Sequence, residues 1–427
     1  GSQDTGHDWT HPALQPHYRG WDGVAASHAY NWHDAIHSGT SSCPPDSPAP
    51  CDDNGHGTHT IGIVVGDDGG TNRIGVAPGA EWIACRNMRN GAGTPATYTE
   101  CFQWFMAPTD AAGQNPDPSR APPVITNSWF CPTSEGCDVG TLELVVNNVR
   151  AAGIVVVVSA GNDGPTCSSL QWAPAIYDAS FSVAAVDGTD QIAAFSSRGP
   201  VTSDGSNRLK PDIAAPGVSI RSSWPGAAYV QQSGTSMAAP HVAGVIALLL
   251  EARPDLVGDV DTIEGLVRAS AVPETTTQDC GTVSGLAVPN NTFGFGRIDA
   301  FELIAGDADG DASGNVTDCL PLDGTTWQVP SPVADLRVGL AAGEAQLNWT
   351  EPSQPGSTAV TYDVLRSLLP GDFSGATCIV SSQATPGTAD AEMPGDLFAY
   401  LVQTNNGCGG SIGSGGGPVG RSLPACP

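Results

Sequence analysis

Short apolar runs alternate with longer stretches of helical spacing over residues 1–305. Three of these runs, Pro123–Thr126, Gly153–Ser159 and Phe181–Val186, are apolar at most positions, which is typical of strands buried on both faces. The segment Gly140–Ala152, between the first two runs, spaces its apolar residues at nearly helical intervals. Strand, helix and strand in this order predict an α/β fold, in which a parallel sheet is sandwiched by helices.

The most apolar segment of the chain is a predicted helix at Thr235–Ala252, and a further helix is predicted at Val260–Ser270. Within the first of these, the apolar run Val242–Leu250 is interrupted by Gly244 and is far shorter than the roughly 18 residues that a membrane span needs. We therefore expect a core helix and no membrane span.

The pattern changes after residue 305. Residues 306–331 are rich in acidic and polar side chains and are predicted to form a linker. Residues 332–427 alternate apolar and polar positions with period two, which predicts the short strands of a small all-β sandwich. The clearest examples are Ala345–Trp349, Val360–Leu365 and Phe398–Val402. Glycine and serine dominate from Cys408 to Gly417, which predicts a Gly-rich tail.

Charge narrows the classes of partner. The 427 residues include 44 acidic and 16 basic side chains, which give a net charge of −28. A surface this acidic repels phosphate backbones, so nucleic acid is not expected as a partner. Lys210 is the only lysine in the chain, which leaves no polybasic patch for a membrane surface.

Twelve cysteines, an even number, indicate disulfide bonds and an oxidising compartment, so we expect a secreted protein. Eight cysteines precede residue 305 and four follow it, so each region can form its own set of bonds. Spacing does not fix the pairing, although short loops favour two of the pairs. The pairs that we expect are Cys43–Cys51, Cys85–Cys101, Cys131–Cys137, Cys167–Cys280 and Cys378–Cys408.

Three short motifs carry an acid, an imidazole and a hydroxyl: Gln3–Gly6, Asn54–His59 and Gly234–His241. A serine hydroxyl is a weak nucleophile unless a base accepts its proton, and that base needs a carboxylate to hold its tautomer. Ser236 stands at the start of the long apolar helix. Its own N–H group would there point at a developing oxyanion, with the helix dipole behind it.

A fourth motif, Val158–Gly164, directly follows a predicted buried strand and carries Asn162. Ligands bind at the carboxyl ends of the strands in open α/β sheets. From this place, the Asn162 amide would donate a hydrogen bond to a tetrahedral oxyanion.

In their order of Asp, His, Asn and Ser, these four motifs resemble those of the subtilisin-like serine proteases, peptidase family S8, over residues 1–305. The opening segment is most similar to the bacillopeptidase F group. The resemblance implies a subtilisin-like fold and a secreted endopeptidase that hydrolyses proteins or peptides through an acyl-enzyme intermediate. Asp4 would orient His56, which would act as base and then as acid. Ser236 would attack, Asn162 would form the oxyanion hole, and no cofactor would be required for the chemistry.

The resemblance also implies a set of substrate-binding residues: Ser128, Trp129, Phe130, Ser159, Gly161 and Asp163. The first three match a strand whose backbone pairs with the substrate as an added β-strand. Phe130 departs from the family, which usually has glycine there, so its ring would narrow a subsite or shift the substrate strand. Asp163 either favours a basic substrate residue or is an ordinary turn residue.

Asp307, Asp309 and Asp311 resemble oxygen-rich calcium loops, which use acidic residues at alternate positions. The spacing from Asp309 approaches that of an EF-hand loop, but its twelfth position is Leu320 instead of glutamate. A structural Ca²⁺ site is one interpretation, and a solvated acidic linker is the other. The region after residue 331 weakly resembles a fibronectin type III-like module, for which Trp349 and Tyr362 are core candidates and Tyr400 lies on a late strand.

Only three residues precede Asp4, whereas the family places a buried strand and an inhibitory pro-region before the catalytic aspartate. We therefore expect that the first strand is truncated, that the pro-region is missing and that this chain alone folds poorly. We also expect a monomer.

The competing hypothesis is a binding or adhesion protein whose protease domain is inert. Chymotrypsin-like and α/β-hydrolase alternatives fail, because their catalytic residues occur in a different chain order.

Overall fold

A seven-stranded parallel sheet organises residues 1–304 in the computed structural model, which describes residues 1–369, 373–392, 398–411 and 426. The strands of this region are β1 (Ser2–Asp4), β2 (Trp32–Asp34), β3 (Ala84–Arg86), β4 (Met88–Arg89), β5 (Ala92–Gly93), β6 (Val124–Asn127), β7 (Val155–Ser159), β8 (Phe181–Val186), β9 (Ile213–Pro216), β10 (Ile220–Trp224) and β11 (Ala228–Gln232). The sheet order is β2-β3-β1-β6-β7-β8-β9, with every neighbouring pair parallel. The remaining strands form the hairpins β4–β5 and β10–β11. The predicted α/β fold with a parallel sheet is confirmed.

Helices surround this sheet. They are α1 (His56–Val65), α2 (Pro95–Met106), α3 (Glu143–Ala151), α4 (Thr235–Ala252), α5 (Val260–Ala269) and α6 (Ala300–Ala305). Thr94 caps α2 in a reciprocal capping box with Thr97, and Pro95 at the first position of the helix needs no N–H partner. Helices α2 and α3 share a core cluster with Val156 and Val158 of β7, while α4 contacts β6 to β9.

Among the described residues, α4 alone is long and apolar enough to pass a length-and-composition test for a membrane span. Of this helix, 67% is buried inside the protein. A core helix of a soluble protein passes the same test, so the finding is weak evidence for a span.

Strand β1 lies where the strand order reverses. Ser2, Gln3 and Asp4 pair with β3, and Ser2 and Gln3 also pair with β6 on the other side. All three residues are buried. In open parallel sheets, the crevice for ligands forms beyond the carboxyl ends of the strands at such a reversal. Asp4 ends β1 at this edge, and the segments after β6 and β7 begin there.

In its described residues, the second unit, Ala305–Pro427, is all-β apart from the end of α6. Its strands are β12 (Ala334–Ala341), β13 (Glu344–Thr350), β14 (Thr361–Ser367), β15 (Thr377–Gln383), β16 (Gly387–Asp390), β17 (Ala399–Asn406) and β18 (Gly409–Ser411). They form two antiparallel sheets, ordered β12-β13-β16 and β15-β14-β17-β18. Trp349 and Tyr362 are buried in its core with ring centroids 5.3 Å apart. The predicted tail lies outside the described residues, except for its start and Cys426.

Six disulfides join all twelve cysteines: Cys43–Cys51, Cys85–Cys101, Cys131–Cys137, Cys167–Cys280, Cys319–Cys408 and Cys378–Cys426. The four pairs predicted before residue 305 are confirmed, and the predicted pair Cys378–Cys408 is wrong. Cys378 lies in β15 and Cys408 precedes β18, at opposite edges of one four-stranded sheet. Three strand spacings of about 4.8 Å separate these edges, which is too far for a disulfide.

Candidate active site

A cleft of about 340 Å³ lies at the carboxyl edge of the parallel sheet. Eight residues singled out from the sequence line it: His56, Ser128, Trp129, Phe130, Ser159, Gly161, Asn162 and Ser236. Asp4 lies behind His56, and Asp163 is not part of the lining within the described chain. Residues more than 230 positions apart in the sequence thus meet, because β1, β6 and β7 end and α1 and α4 begin at this edge.

Asp4 and His56 form a hydrogen-bonded pair at this edge. Asp4 ends β1 and is 1% exposed, and His56 is the first residue of α1. His56 Nδ1 lies 2.8 Å from Asp4 Oδ1, which also accepts the Thr5 N–H at 2.7 Å. With its Nδ1 proton held by the carboxylate, the imidazole has a free lone pair on Nε2.

The pKa of His56 reflects opposing effects. Burial disfavours the imidazolium, but the charge and hydrogen bond of Asp4 and the charge of Asp52 outweigh burial and raise the pKa above its ordinary value. A base with a raised pKa accepts a proton from a serine hydroxyl more readily, although it is neutral only at higher pH.

Ser236 is the second residue of α4 and is docked on the end of β6 by two reciprocal hydrogen bonds. The Ser236 hydroxyl donates to the Ser128 carbonyl at 3.0 Å, and the Ser128 hydroxyl donates to the Ser236 carbonyl at 2.9 Å. The Ser236 carbonyl lacks the usual helical donor, since Pro240 four residues later has no N–H. The Ser128 hydroxyl therefore bonds to the carbonyl that Pro240 leaves unpaired, and ties the turn that carries Ser236 to the end of β6.

Asn162 follows β7 and is oriented by Thr235, a residue that the sequence reasoning missed although it adjoins Ser236. Asn162 Oδ1 accepts the Thr235 N–H at 2.9 Å and the Thr235 hydroxyl at 3.1 Å. Because a backbone N–H only donates, the amide oxygen must face Thr235. The two Asn162 N–H donors are thereby left for the exposed side, next to the first turn of α4.

The predicted substrate side contains an aromatic pair. The Phe130 ring is 37% exposed and stacks on Trp172, with centroids 6.3 Å apart and planes 22° apart. The Trp172 indole N–H donates to Asp163 Oδ2 at 2.7 Å. Asp163 is therefore bound to an aromatic residue that sequence reasoning missed, because nothing in the local motif marks Trp172.

Asp52 is a third residue that the sequence reasoning missed. Its carboxylate accepts hydrogen bonds from Thr5 and from the first turn of α1, and thus contacts both segments that carry the Asp4–His56 pair. An acidic residue four positions before a helix-starting histidine was the available signal, because acidic side chains cap helix N-termini.

Asp307, Asp309 and Asp311 come together in the second unit, with one carboxylate oxygen of each lying within 4.8 Å of the others. Calcium ligands at 2.3–2.6 Å from one ion are separated by up to about 5 Å, so the three oxygens fit this ion. Burial and the neighbouring charge of Asp311 raise the pKa of Asp309, as expected where carboxylates crowd.

Comparisons with known proteins find the same protease family that the sequence motifs resemble. The Subtilase family model matches residues 1–296. Bacillopeptidase F of Bacillus subtilis is 37% identical over 407 residues, which cover 92% of this chain and 26% of that protein. Thermostable alkaline protease of Halalkalibacterium halodurans is 37% identical over 210 residues, 48% of this chain and 50% of that one. Subtilisin BL of Lederbergia lenta is 34% identical over 217 residues, 51% of this chain and 70% of that one. The chain spans about a quarter of the first relative's length and half of the second's.

Proposed function

This chain belongs to the subtilase family, and from that premise we propose that it is a secreted serine endopeptidase that hydrolyses peptide bonds in proteins. The observation that carries the proposal is the Asp4–His56 hydrogen bond in the cleft that also contains Ser236. The six disulfides support an extracellular location, because such bonds persist in oxidising compartments. The test is casein hydrolysis together with fluorophosphonate labelling of Ser236.

Acylation begins when the Ser236 hydroxyl turns from the Ser128 carbonyl toward His56 Nε2. The imidazole accepts the proton while Ser236 Oγ forms a bond to the carbonyl carbon of the substrate. The C–N bond then breaks and His56 returns the proton to the departing amine. Water then attacks the carbonyl carbon of the ester while His56 accepts its proton. The bond to Ser236 Oγ breaks, and His56 returns the proton to the serine.

The tetrahedral oxyanion receives two donors from fixed positions. One is the N–H of Ser236 in the first turn of α4, a helix of 18 residues whose dipole favours negative charge there. The other is the Asn162 amide, whose oxygen is held by Thr235. Donors that are already oriented cost no reorganisation during the reaction.

Substrate binding follows from the ends of β6 and β7. The segment Ser128–Phe130 continues from β6 into the cleft, where its backbone pairs with the substrate as an added strand. Ser159 and Gly161, after β7, form a wall for the side chain that precedes the scissile bond. Asp163 supports this subsite by holding Trp172 against Phe130.

Phe130→Gly is expected to raise kcat/KM about tenfold for peptides with a bulky side chain at the subsite that Phe130 borders, because removing the ring enlarges it. A cleavage-site profile on a denatured proteome digest measures this change.

Asp163→Asn distinguishes the two possible roles of Asp163. If Asp163 holds Trp172 in place, the substitution should change the preference for bulky apolar side chains. If its charge selects basic substrate residues, the substitution should selectively lower cleavage after Lys and Arg. Wild-type enrichment for Lys or Arg that disappears in Asp163→Asn would overturn the supporting role.

Subtilases need no cofactor for catalysis and often bind structural calcium. We propose that Ca²⁺ binds in the second unit between Asp307, Asp309 and Asp311. The charge of the ion would offset the repulsion between the three carboxylates. The second unit itself is proposed to be a fibronectin type III-like module that serves attachment or spacing.

Calcium at 100 times its Kd is expected to stabilise the second unit by about 2.7 kcal/mol relative to protein in EGTA. Calorimetry of the Ser236→Ala protein measures the shift without autolysis. Asp309→Asn should lose the calcium effect. Asp323→Asn, which changes an exposed carboxylate that bonds to the nearby Thr325, should keep it. An equal calcium response in wild type and Asp309→Asn would contradict this site.

A further inference from the structure

Asp52 contacts both of the chain segments that carry the proposed catalytic pair, Asp4 and His56. Its Oδ1 accepts the Thr5 hydroxyl at 2.9 Å and the backbone N–H groups of Asn54 at 3.0 Å and Gly55 at 2.8 Å. Its Oδ2 accepts the Thr58 N–H at 2.9 Å and the Thr58 hydroxyl at 2.6 Å. One carboxylate therefore receives five hydrogen bonds from two separate chain segments.

On the histidine side, Asp52 caps the helix that begins with His56. The N-cap residue of α1 is Gly55, which has no side chain with which to cap. The first N–H groups of a helix have no partner within the helix. Asp52 supplies one for Thr58, and its negative charge lies at the positive end of the helix dipole.

On the aspartate side, Thr5 links Asp52 to β1. The Thr5 hydroxyl donates to Asp52 and accepts the Gly57 N–H at 3.0 Å, while the Thr5 N–H donates to Asp4 Oδ1 at 2.7 Å. The next residue, Gly6, has a φ of +104°, and a Cβ there would lie 1.7 Å from the Cys51 carbonyl oxygen. The segment carrying Asp52 reaches the end of β1 because this position is glycine.

We propose that Asp52 is a positioning residue of the proposed peptidase, which holds the Asp4 and His56 segments in register by bonding to both. The inference rests on the proposed function. The charge of Asp52 also acts on His56, the proposed base. Three other titratable groups interact electrostatically with His56: Asp4 at the end of β1, His7 after β1 and His59 on α1. Asp4 and Asp52 both favour the imidazolium.

Asp52→Asn is expected to lower kcat about tenfold or more with KM changed less than twofold, because a small displacement of the base impairs proton transfer more than substrate binding. The acid limb of the kcat/KM profile should move to lower pH, since one negative charge that favours the imidazolium is lost. Thr5→Val removes the linking hydroxyl without changing charge. It should lower kcat and leave the acid limb in place, and Thr5→Ser should restore kcat.

Asp259→Asn is the matched control, since Asp259 caps α5 through the Thr262 N–H at 3.1 Å and is not part of the cleft lining in the described chain. It should lose stability only, with kcat and the acid limb unchanged. The proposal is wrong if Asp52→Asn matches Asp259→Asn in kcat and pH profile. If Asp52→Asn does not fold, equal kcat values for Thr5→Val and wild type overturn it. Failure of the proposed function shows differently, as wild-type protein that does not hydrolyse casein.

Discussion

Replacing Ser236 with alanine is expected to lower kcat for casein hydrolysis by roughly 10⁶-fold, the magnitude that loss of the nucleophile costs in subtilisin. The fold should persist, because in the described part of the chain the Ser236 hydroxyl bonds to the Ser128 carbonyl alone, and alanine is favourable in a helix. Loss of such a bond costs about 1 kcal/mol of stability.

Two measurements check this prediction, casein hydrolysis and fluorophosphonate labelling. Ser233→Ala is the matched control, since Ser233 lies three residues earlier, is exposed and accepts the Ser219 N–H at 2.8 Å outside the cleft. It should keep hydrolysis and labelling at wild-type levels. Wild-type protein that is folded and yet unlabelled would favour the inert binding protein. Full activity in Ser236→Ala would refute the assignment of the nucleophile.

His56→Ala should cost as much as Ser236→Ala, and the double variant should lose nothing further. The reason is that base and nucleophile act as one unit, so removing either abolishes the same step; subtilisin shows this non-additivity at about 10⁶-fold. Additive losses in the double variant would show that the two side chains act independently, contrary to the proposed mechanism.

The role of His56 as base also predicts how activity changes with pH. His56 must be neutral to accept the serine proton, so activity falls as pH decreases through its pKa. Because Asp4 and Asp52 raise that pKa against the effect of burial, the acid limb should lie above the ordinary histidine value. His37→Ala is the control, since hydrogen bonds to Asp46 and Glu100 raise the pKa of His37 to about 9 outside the cleft. This variant should leave the limb unmoved.

Much of the fold was predictable because its strands are buried on both faces. A strand such as β7 must be apolar at every position of Val155–Val158, and this requirement is visible in the residues themselves. The same holds for α4, whose apolar length marks the core helix. The four confirmed disulfides lie in the same unit, and short loops favoured two of them, Cys43–Cys51 and Cys131–Cys137. The wrong pair lay in the second unit, where the two cysteines belong to opposite edges of one sheet.

What the sequence by itself determined was the set of groups in the proposed site: a carboxylate, an imidazole, a hydroxyl and an amide in family order, each beside glycine or at an element boundary. What only the tertiary structure decided was how these groups are held. Asp52 supports the Asp4–His56 pair, Thr235 orients Asn162, and Asp163 binds Trp172. Such contacts join segments that are distant along the chain. A carboxylate's partner depends on which loops meet at the edge of the sheet, and the local sequence pattern does not predict which loops meet there.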